Sequence, residues 1–221
     1  MKKLNYKKQQ GFSILAVILV IVAVIVAIGV WALSGQTNTS NSGNSTSDIQ
    51  ASSIVNDASS IKLAFDSLLI NGANSANIVF VPNQPSTGSV PNMLDPSNGI
   101  QYPKPNSNAI KATPDATQGI WVYNSTTFKG SSVGTTAADQ TIVLAGLKDI
   151  VCQRINNTLY GLAVTPVTTV TTPTLGATAT APTTTAAIDL STVTAANGWS
   201  SGCISTGTAD SNFYFRILRA N

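Results

Sequence analysis

Residues 14–33 read ILAVILVIVAVIVAIGVWAL, a run of 20 residues without a charged side chain. At about 1.5 Å per residue, a helix of this length spans about 30 Å, the thickness of the hydrocarbon core of a bilayer. The apolar part of a secretory signal peptide is shorter, at roughly 7 to 15 residues. The run therefore predicts a membrane-spanning helix. A cleaved signal peptide and a plain membrane anchor remain open as alternatives.

The positive charge of the chain is concentrated ahead of this run. Four lysines lie there, namely Lys2, Lys3, Lys7 and Lys8. Lysines on this side favour a cytoplasmic N-terminus and export of the rest. Without the four lysines, eight cationic side chains stand against nine acidic ones, a balance of −1. No nucleic-acid partner is predicted, because such proteins need a concentrated basic surface.

The composition argues against catalysis. Histidine is absent, and all nine acidic residues are aspartates, so the commonest general base and the commonest metal ligand are missing. Asp95, followed by Pro-Ser-Asn-Gly, brings one carboxylate and one amide, fewer than the six or more oxygens that calcium requires. We expect a chain that is not an enzyme, with no catalytic residue, metal site or cofactor.

Residues 34–47 are small and polar, which predicts a flexible linker. A helical pattern follows over residues 48–71, because apolar side chains recur at steps of four and three. These side chains are Ile54, Ala58, Ile61, Phe65 and Leu68. We expect an amphipathic helix that packs on a sheet and ends at Asn71-Gly72.

The remainder of the head, residues 48–221, reads as loops and strands. Seven prolines in residues 73–118 predict a long exposed loop region with one short strand at 77–81. Strand patterns at 119–123, 140–145, 157–164 and 212–218 predict a mainly antiparallel sheet. Trp121 and Tyr160 are interpreted as sheet packing. Residues 165–187 are rich in Thr and Pro and predict an exposed loop.

A short helix is expected between Ala145 and Asn156. Its inward side chains would be Leu147, Ile150, Val151 and Ile155. Asn38, Asn44, Asn124 and Asn156 lie in N-x-S/T sequons, which are weak indications of glycosylation in a chain with a bacterial-type leader.

The two cysteines, Cys152 and Cys203, both follow the apolar run, on the side where thiols oxidise. One disulfide is the natural interpretation, and a bridge of this span stabilises a fold by roughly 4 kcal/mol in the chain-entropy model. The alternative is a reactive thiol. That role lacks a histidine or a neighbouring cysteine to lower the thiol pKa.

The junction KKQQGFSIL at residues 7–15 joins a short basic leader to the apolar run through Gly11-Phe12. It resembles the class III leader of type IV prepilins. The resemblance implies that a prepilin peptidase cuts between Gly11 and Phe12 and methylates the new N-terminus. It divides the chain into a leader at 1–11 and a transmembrane or filament-core helix at 12–33. The surroundings of Cys152 and Cys203 are similar to the C-terminal disulfide region of type IVb pilins.

This resemblance implies an α+β pilin-like fold: a long N-terminal hydrophobic helix, an amphipathic helix packed on an antiparallel sheet, and one disulfide. The implied function is that of a type IV pilus subunit that mediates adhesion or related surface contact. The implied partners are the prepilin peptidase, other pilin subunits, the inner-membrane assembly platform and, before assembly, membrane lipid. The head would lie in the bacterial periplasm, and later in an extracellular pilus or pseudopilus.

Ala16 departs from the family pattern, which has a glutamate at this place. In the family, that carboxylate is thought to neutralise the N-terminal ammonium of a neighbouring subunit in the apolar filament core, where an unpaired charge costs several kcal/mol. Ala16 therefore favours a minor pilin over a major one. A pseudopilin of a type II secretion system and an anchored periplasmic domain that does not polymerise remain as alternatives.

Overall fold

The computed structural model describes residues 42–98, 101–115, 118–162 and 188–221, with the backbone alone at 42–44, 98 and 125–127. The chain divides into two compact units, Met1–Asn44 and Ser45–Asn221. Nearly all described residues belong to the second unit, which is the predicted head. This unit mixes helices and strands and contains one disulfide.

Helix α1 spans Ser42–Ile70 and carries the predicted apolar stripe. Ile54, Ala58, Ile61 and Phe65 are at most 1% exposed, and Leu68 packs partly buried against the same core. Gly72 follows the helix with a φ of +85°, a backbone conformation that glycine adopts without a Cβ clash. The predicted stripe and the predicted end are both confirmed.

The helix begins six residues earlier than residue 48, within the segment expected to be a linker. Ser47 and Gln50 are buried, and Asp48 Oδ1 lies 3.3 Å from Arg154 Nε. These first turns are therefore held by tertiary contacts, which the polar composition of residues 42–47 did not indicate. Residues 34–41 of the expected linker lie outside the described residues.

Within the part of the chain that the structure describes, the sheet has five strands in the order β3-β1-β2-β5-β4. Their bounds are Trp121–Lys129 for β1, Asp139–Leu147 for β2, Ile188–Asp189 for β3, Ser201–Ser205 for β4 and Asn212–Arg219 for β5. All pairings are antiparallel except that of β1 with the two residues of β3. The predicted strands at 119–123, 140–145 and 212–218, and the mainly antiparallel sheet, are confirmed. Strands β3 and β4 were not predicted.

Both faces of the sheet are covered, so strand β2 is buried along its whole length. Ile142 and Leu144 lie in the core beneath α1, whereas Val143 and Ala145 lie in a second core on the opposite face. This alternation follows from the period of two in a strand. The second core is closed by residues that follow β3, namely Leu190, Val193, Ala196 and Trp199.

Helix α2 spans Asp149–Tyr160 and follows directly from β2. Val151 and Ile155 are buried as expected. Leu147 is also buried, although it is the last residue of β2 and not part of the helix. The expected inward position of Ile150 is wrong, because this side chain is 39% exposed.

The predicted strand at 157–164 is wrong, because residues 157–160 continue α2. Gly161 ends the helix in the left-handed conformation, and its N–H donates to Asn157 O. The β-branched and aromatic residues that indicated a strand are carried instead by a helix that buries Cys152, Ile155 and Asn156 on one side. Residues 163 and 164 lie outside the described part of the chain.

Residues 73–118, which we call the proline-rich segment, are irregular where described, with three short 3-10 turns at Ser75–Asn77, Pro96–Asn98 and Ser107–Ala109. The strand expected at 77–81 is reduced to one bridge between Val79 and Asn92. The segment is less exposed than expected. It adds buried apolar side chains to the core beneath α1, namely Ile78, Phe80, Met93, Leu94, Ala109 and Ile110.

Asn92 organises this segment from a fully buried position. Its Oδ1 accepts hydrogen bonds from Val81 N at 3.0 Å and Leu94 N at 3.2 Å, and its Nδ2 donates to Val81 O and Gln84 O at 2.7 and 2.6 Å. One amide side chain thus satisfies backbone groups that have no strand partner.

Asp95 holds the next turn in the same way. Its Oδ2 accepts from Ser86 N at 2.7 Å, and its Oδ1 accepts from Ser97 N and Oγ at 2.8 and 2.7 Å. Hydrogen bonds from Ser86 and Ser97 hold the pKa of the carboxyl far below its usual value. This carboxylate therefore serves as a backbone anchor in the folded chain.

Candidate functional site

Several predicted functional positions lie outside the described residues. These are the processing residues Gly11 and Phe12, the apolar run at 14–33 with Ala16, and the Thr/Pro-rich residues 165–187. Within the described ranges, no helix is both long enough and apolar enough to cross a bilayer.

The predicted disulfide is present between Cys152 and Cys203, so neither is a free thiol. It joins α2 to β4 with a Cα–Cα distance of 5.3 Å, and both cysteines are fully buried. The chain separation of 51 residues means that the bridge restrains two elements that no local turn connects.

Asn156 completes the attachment one helical turn after Cys152. Its Nδ2 donates to Cys203 O at 2.8 Å, and its Oδ1 accepts from Cys203 N at 2.9 Å. The amide thereby occupies the place of a neighbouring strand along the outer edge of β4. Because an unpaired strand edge invites pairing with other chains, this arrangement protects the head at that edge.

Tyr160 extends the same protection from the end of α2. Its hydroxyl donates to Ser201 O at 2.5 Å, and its ring stacks on Trp199 with centroids 4.2 Å apart. Tyr160 was expected to pack within the sheet, and it lies instead on the helix that covers the sheet edge. We call this arrangement of α2 and β4, with Cys152, Cys203, Asn156 and Tyr160, the disulfide corner.

Sequence reasoning missed Asn156 as a structural residue and noted it only as part of a sequon. Both sequon asparagines in the head core, Asn124 and Asn156, are fully buried. A folded head therefore does not offer these two amides for glycosylation. The available signal for Asn156 was its position four residues after Cys152, on the same side of a helix.

The core beneath α1 contains Trp121 and Tyr123 from β1 and Tyr214 from β5, the two strands that flank β2. Trp121 meets Tyr214 edge to face at 5.9 Å, which agrees with its predicted packing role. Burial raises the pKa of Tyr123 and of Tyr214, so both phenols stay protonated at neutral pH. Arg216 enters this region from β5 and donates to Ser59 Oγ at 3.0 Å, joining the sheet to α1.

No group of three or more potential metal ligands occurs in the ranges that the structure describes. Asp95, the residue considered for calcium, lies with both carboxylate oxygens already accepting hydrogen bonds from Ser86 and Ser97.

The outer face of α1 carries the most exposed apolar side chains. Among the described residues, five large apolar side chains are exposed, and three of them are Ile49 at 71%, Leu63 at 69% and Ile70 at 84%. Their spacings of 14 and 7 residues place them along one line of the helix. We call these three residues the outer stripe.

Comparison of the chain with models of protein families, with curated proteins and with solved structures finds no match.

Proposed function

We propose that this chain is a pilin-like structural subunit of a type IV pilus, present as a minor component, that assembles into a surface filament and takes part in adhesion or related surface contact. The observation that carries the proposal is the junction of a basic leader, Gly11-Phe12 and a charge-free run of 20 residues. A prepilin peptidase, other pilin subunits and an inner-membrane assembly platform are the partners that this role requires.

The architecture of the head supports the proposal. A long helix packs one apolar stripe on an antiparallel sheet, and a disulfide ties the C-terminal part of the sheet to a second helix. Such a head suits exposure outside the cell, because a buried disulfide and a covered sheet edge limit unfolding and unwanted strand pairing.

The outer stripe supports assembly with other subunits. Ile49, Leu63 and Ile70 leave apolar surface in contact with water, although the opposite side of α1 is fully buried. Apolar side chains aligned along a helix favour packing against another helix. We assign this face to contact with the corresponding helix of a neighbouring pilin subunit.

Processing by a prepilin peptidase tests the proposal. Co-expression of the full chain with the peptidase should remove 11 residues and leave N-methylated Phe12, both visible in the intact mass. The variant Gly11→Leu should stay uncut, because a bulky side chain obstructs the extended backbone at the cleavage point. A mature N-terminus near Ser34 would instead indicate a signal peptide, and an uncut wild-type chain would indicate a plain anchor.

The composition of sheared filaments tests the minor role. With Ala16 in place of a carboxylate, the chain should be a sparse component of filaments built from a partner subunit that has the glutamate. Quantitative mass spectrometry measures this ratio. A filament made mainly of this chain contradicts the minor role, and its restriction to a secretion machine indicates a pseudopilin.

A further inference from the structure

A cleft of about 590 Å³ opens within the proline-rich segment. One wall is the turn at Pro82 and Asn83, the base includes Leu94 and Pro96, and the other wall is formed by Gln101, Tyr102 and Lys104. This volume lies within the range of about 300 to 1,000 Å³ that is typical of small-molecule sites.

The first wall is held in place before any ligand binds. Asn92 hydrogen-bonds both Val81 and Gln84, the two residues that flank the Pro82-Asn83 turn. Asn83 has a φ of +59°, a left-handed conformation that asparagine tolerates better than most residues. The turn is therefore fixed at both ends, and the Asn83 side chain starts from a defined backbone position.

The apolar surface of the cleft is equally fixed. Leu94 is 2% exposed, and its N–H donates to Asn92 Oδ1. The Tyr102 hydroxyl donates to Trp121 O at 2.9 Å, and its ring packs on Phe80 with centroids 5.6 Å apart. Burial raises the pKa of Tyr102 to about 12, so this hydroxyl remains a donor. The contact with Phe80 and the hydrogen bond to Trp121 O thus fix the orientation of the Tyr102 ring.

The polar side chains of the cleft have no partner among the described residues. Asn83, Gln101 and Lys104 are exposed, and none of their side chains hydrogen-bonds or pairs with another described residue. None of the described residues that line the cleft is acidic. The cleft therefore offers two amides, one ammonium without a salt bridge to a described residue, and an aromatic and proline surface.

We propose that this cleft binds a short acidic saccharide, one whose pyranose ring carries a carboxylate. The apolar face of the ring packs on Tyr102 and the neighbouring prolines, because a pyranose has C–H groups on one face and hydroxyls at its edge. Asn83 and Gln101 can donate to and accept from those hydroxyls. Lys104 pairs with the carboxylate.

This activity goes beyond the proposed structural role, since it concerns a ligand of the head rather than assembly. It does not require a filament. A chain that binds an acidic sugar but is never processed would refute the proposed function alone, and a processed chain that binds no sugar would refute this inference alone.

The test is saturation-transfer NMR on the full chain in a detergent without a sugar headgroup. Galacturonate and N-acetylneuraminic acid are the acidic probes, galactose is the neutral probe, and acetate reports a simple anion. We expect transfer to the ring protons of the acidic sugars, weaker transfer to galactose, and loss of affinity as salt is raised.

Two exposed substitutions locate the binding. Lys104→Gln should weaken the acidic sugars about fivefold and leave galactose nearly unchanged, because an exposed charge pair contributes up to about 1 kcal/mol. Asn83→Gly keeps the left-handed turn and should weaken all sugars. The matched control is Lys148→Gln, at a lysine that lies outside the cleft and forms no salt bridge with the described residues.

Three results would overturn the inference. The first is an absence of transfer to both acidic sugars. The second is equal binding of galacturonate and acetate, which indicates an ion site only. The third is affinity that Lys104→Gln and Lys148→Gln change to the same extent.

Discussion

The disulfide corner and the proline-rich segment each rely on a fully buried asparagine to satisfy backbone groups that lack a strand partner. Asn156 bonds to Cys203, which is 47 residues away, whereas the partners of Asn92 lie between 2 and 11 residues away. The corner also has a covalent bridge, whereas the side chains of Asn92 and Asp95 act on their segment through hydrogen bonds alone. Long-range bonds restrain the whole head, and short-range bonds restrain one loop region. A substitution in the disulfide corner should therefore destabilise the whole head, whereas one in the proline-rich segment should destabilise mainly that segment.

The largest effect is expected from removing the bridge. The double variant Cys152→Ala/Cys203→Ala should lower the free energy of unfolding by about 4 kcal/mol, because the unfolded chain is no longer closed into a long loop. Urea denaturation followed by tryptophan fluorescence measures it. Wild-type protein unfolded under reducing conditions should match the variant, and an unchanged midpoint would contradict the role assigned to the corner.

Asn156→Ala should have the next largest effect. It removes two hydrogen bonds and leaves the N–H and C=O of buried Cys203 unpaired, at a cost of about 3 kcal/mol. The control is Asn157→Ala, at an exposed neighbour on the same helix. Concentration-dependent association of the variant would indicate that the β4 edge has opened. Equal stability of the two variants would remove the argument for edge protection.

Asn92→Ala should act mainly on its own segment. Although four hydrogen bonds are lost, the exposed Gln84 can recover water, so we expect a global cost of only about 1 to 2 kcal/mol. Hydrogen exchange at the Val81 and Leu94 amides should rise much more than exchange in β2. Exposed Asn77→Ala serves as the control. A loss as large as that of Asn156→Ala would show that the two regions do not differ.

The smallest effect is expected from the protonation of Asp95 in acid, which removes its contribution to the free energy of unfolding. Its folded-state pKa is lowered, so its contribution is complete above the unfolded value of about 4 and is lost as the pH falls below that value. The free energy of unfolding of the wild type, measured by urea denaturation, should fall as the pH drops below about 4, whereas the variant Asp95→Asn should lack this part of the pH dependence. An NMR titration of the Ser86 or Ser97 amide with a midpoint at about pH 4 in the folded wild type would contradict the anchoring role.

Patterns with a short period were predictable along the chain. The stripe from Ile54 to Phe65 repeats at helical spacing, and the strands around Trp121, Ile142 and Phe215 contain β-branched and aromatic residues in short runs. The disulfide followed from having only two cysteines in the sequence, both after the apolar run. The helix and strand predictions needed only residues that are close in sequence, and the disulfide prediction needed only the number of cysteines.

The failures share a different cause. Residues 157–160 resemble a strand in composition but continue α2, because that helix is anchored through Cys152 and Asn156. Strand β4, with the sequence Ser-Gly-Cys-Ile-Ser, has little strand propensity and forms because β5 and α2 cover its two edges. The cleft was missed because its walls come from irregular backbone fixed by the buried side chain of Asn92.

The sequence by itself determined the buried face of α1, three strands of the sheet and the pairing of the two cysteines. The helix face and the strands depend on local periodicity, and each cysteine has only the other cysteine as a possible partner. Only the tertiary structure decided the length of α2, the existence of β3 and β4, and the roles of Asn92, Asn156 and Tyr160. The physical reason is that a side-chain hydrogen bond to a distant backbone group has no periodic signature. Its partner is identified only when packing brings the two groups within about 3 Å of each other.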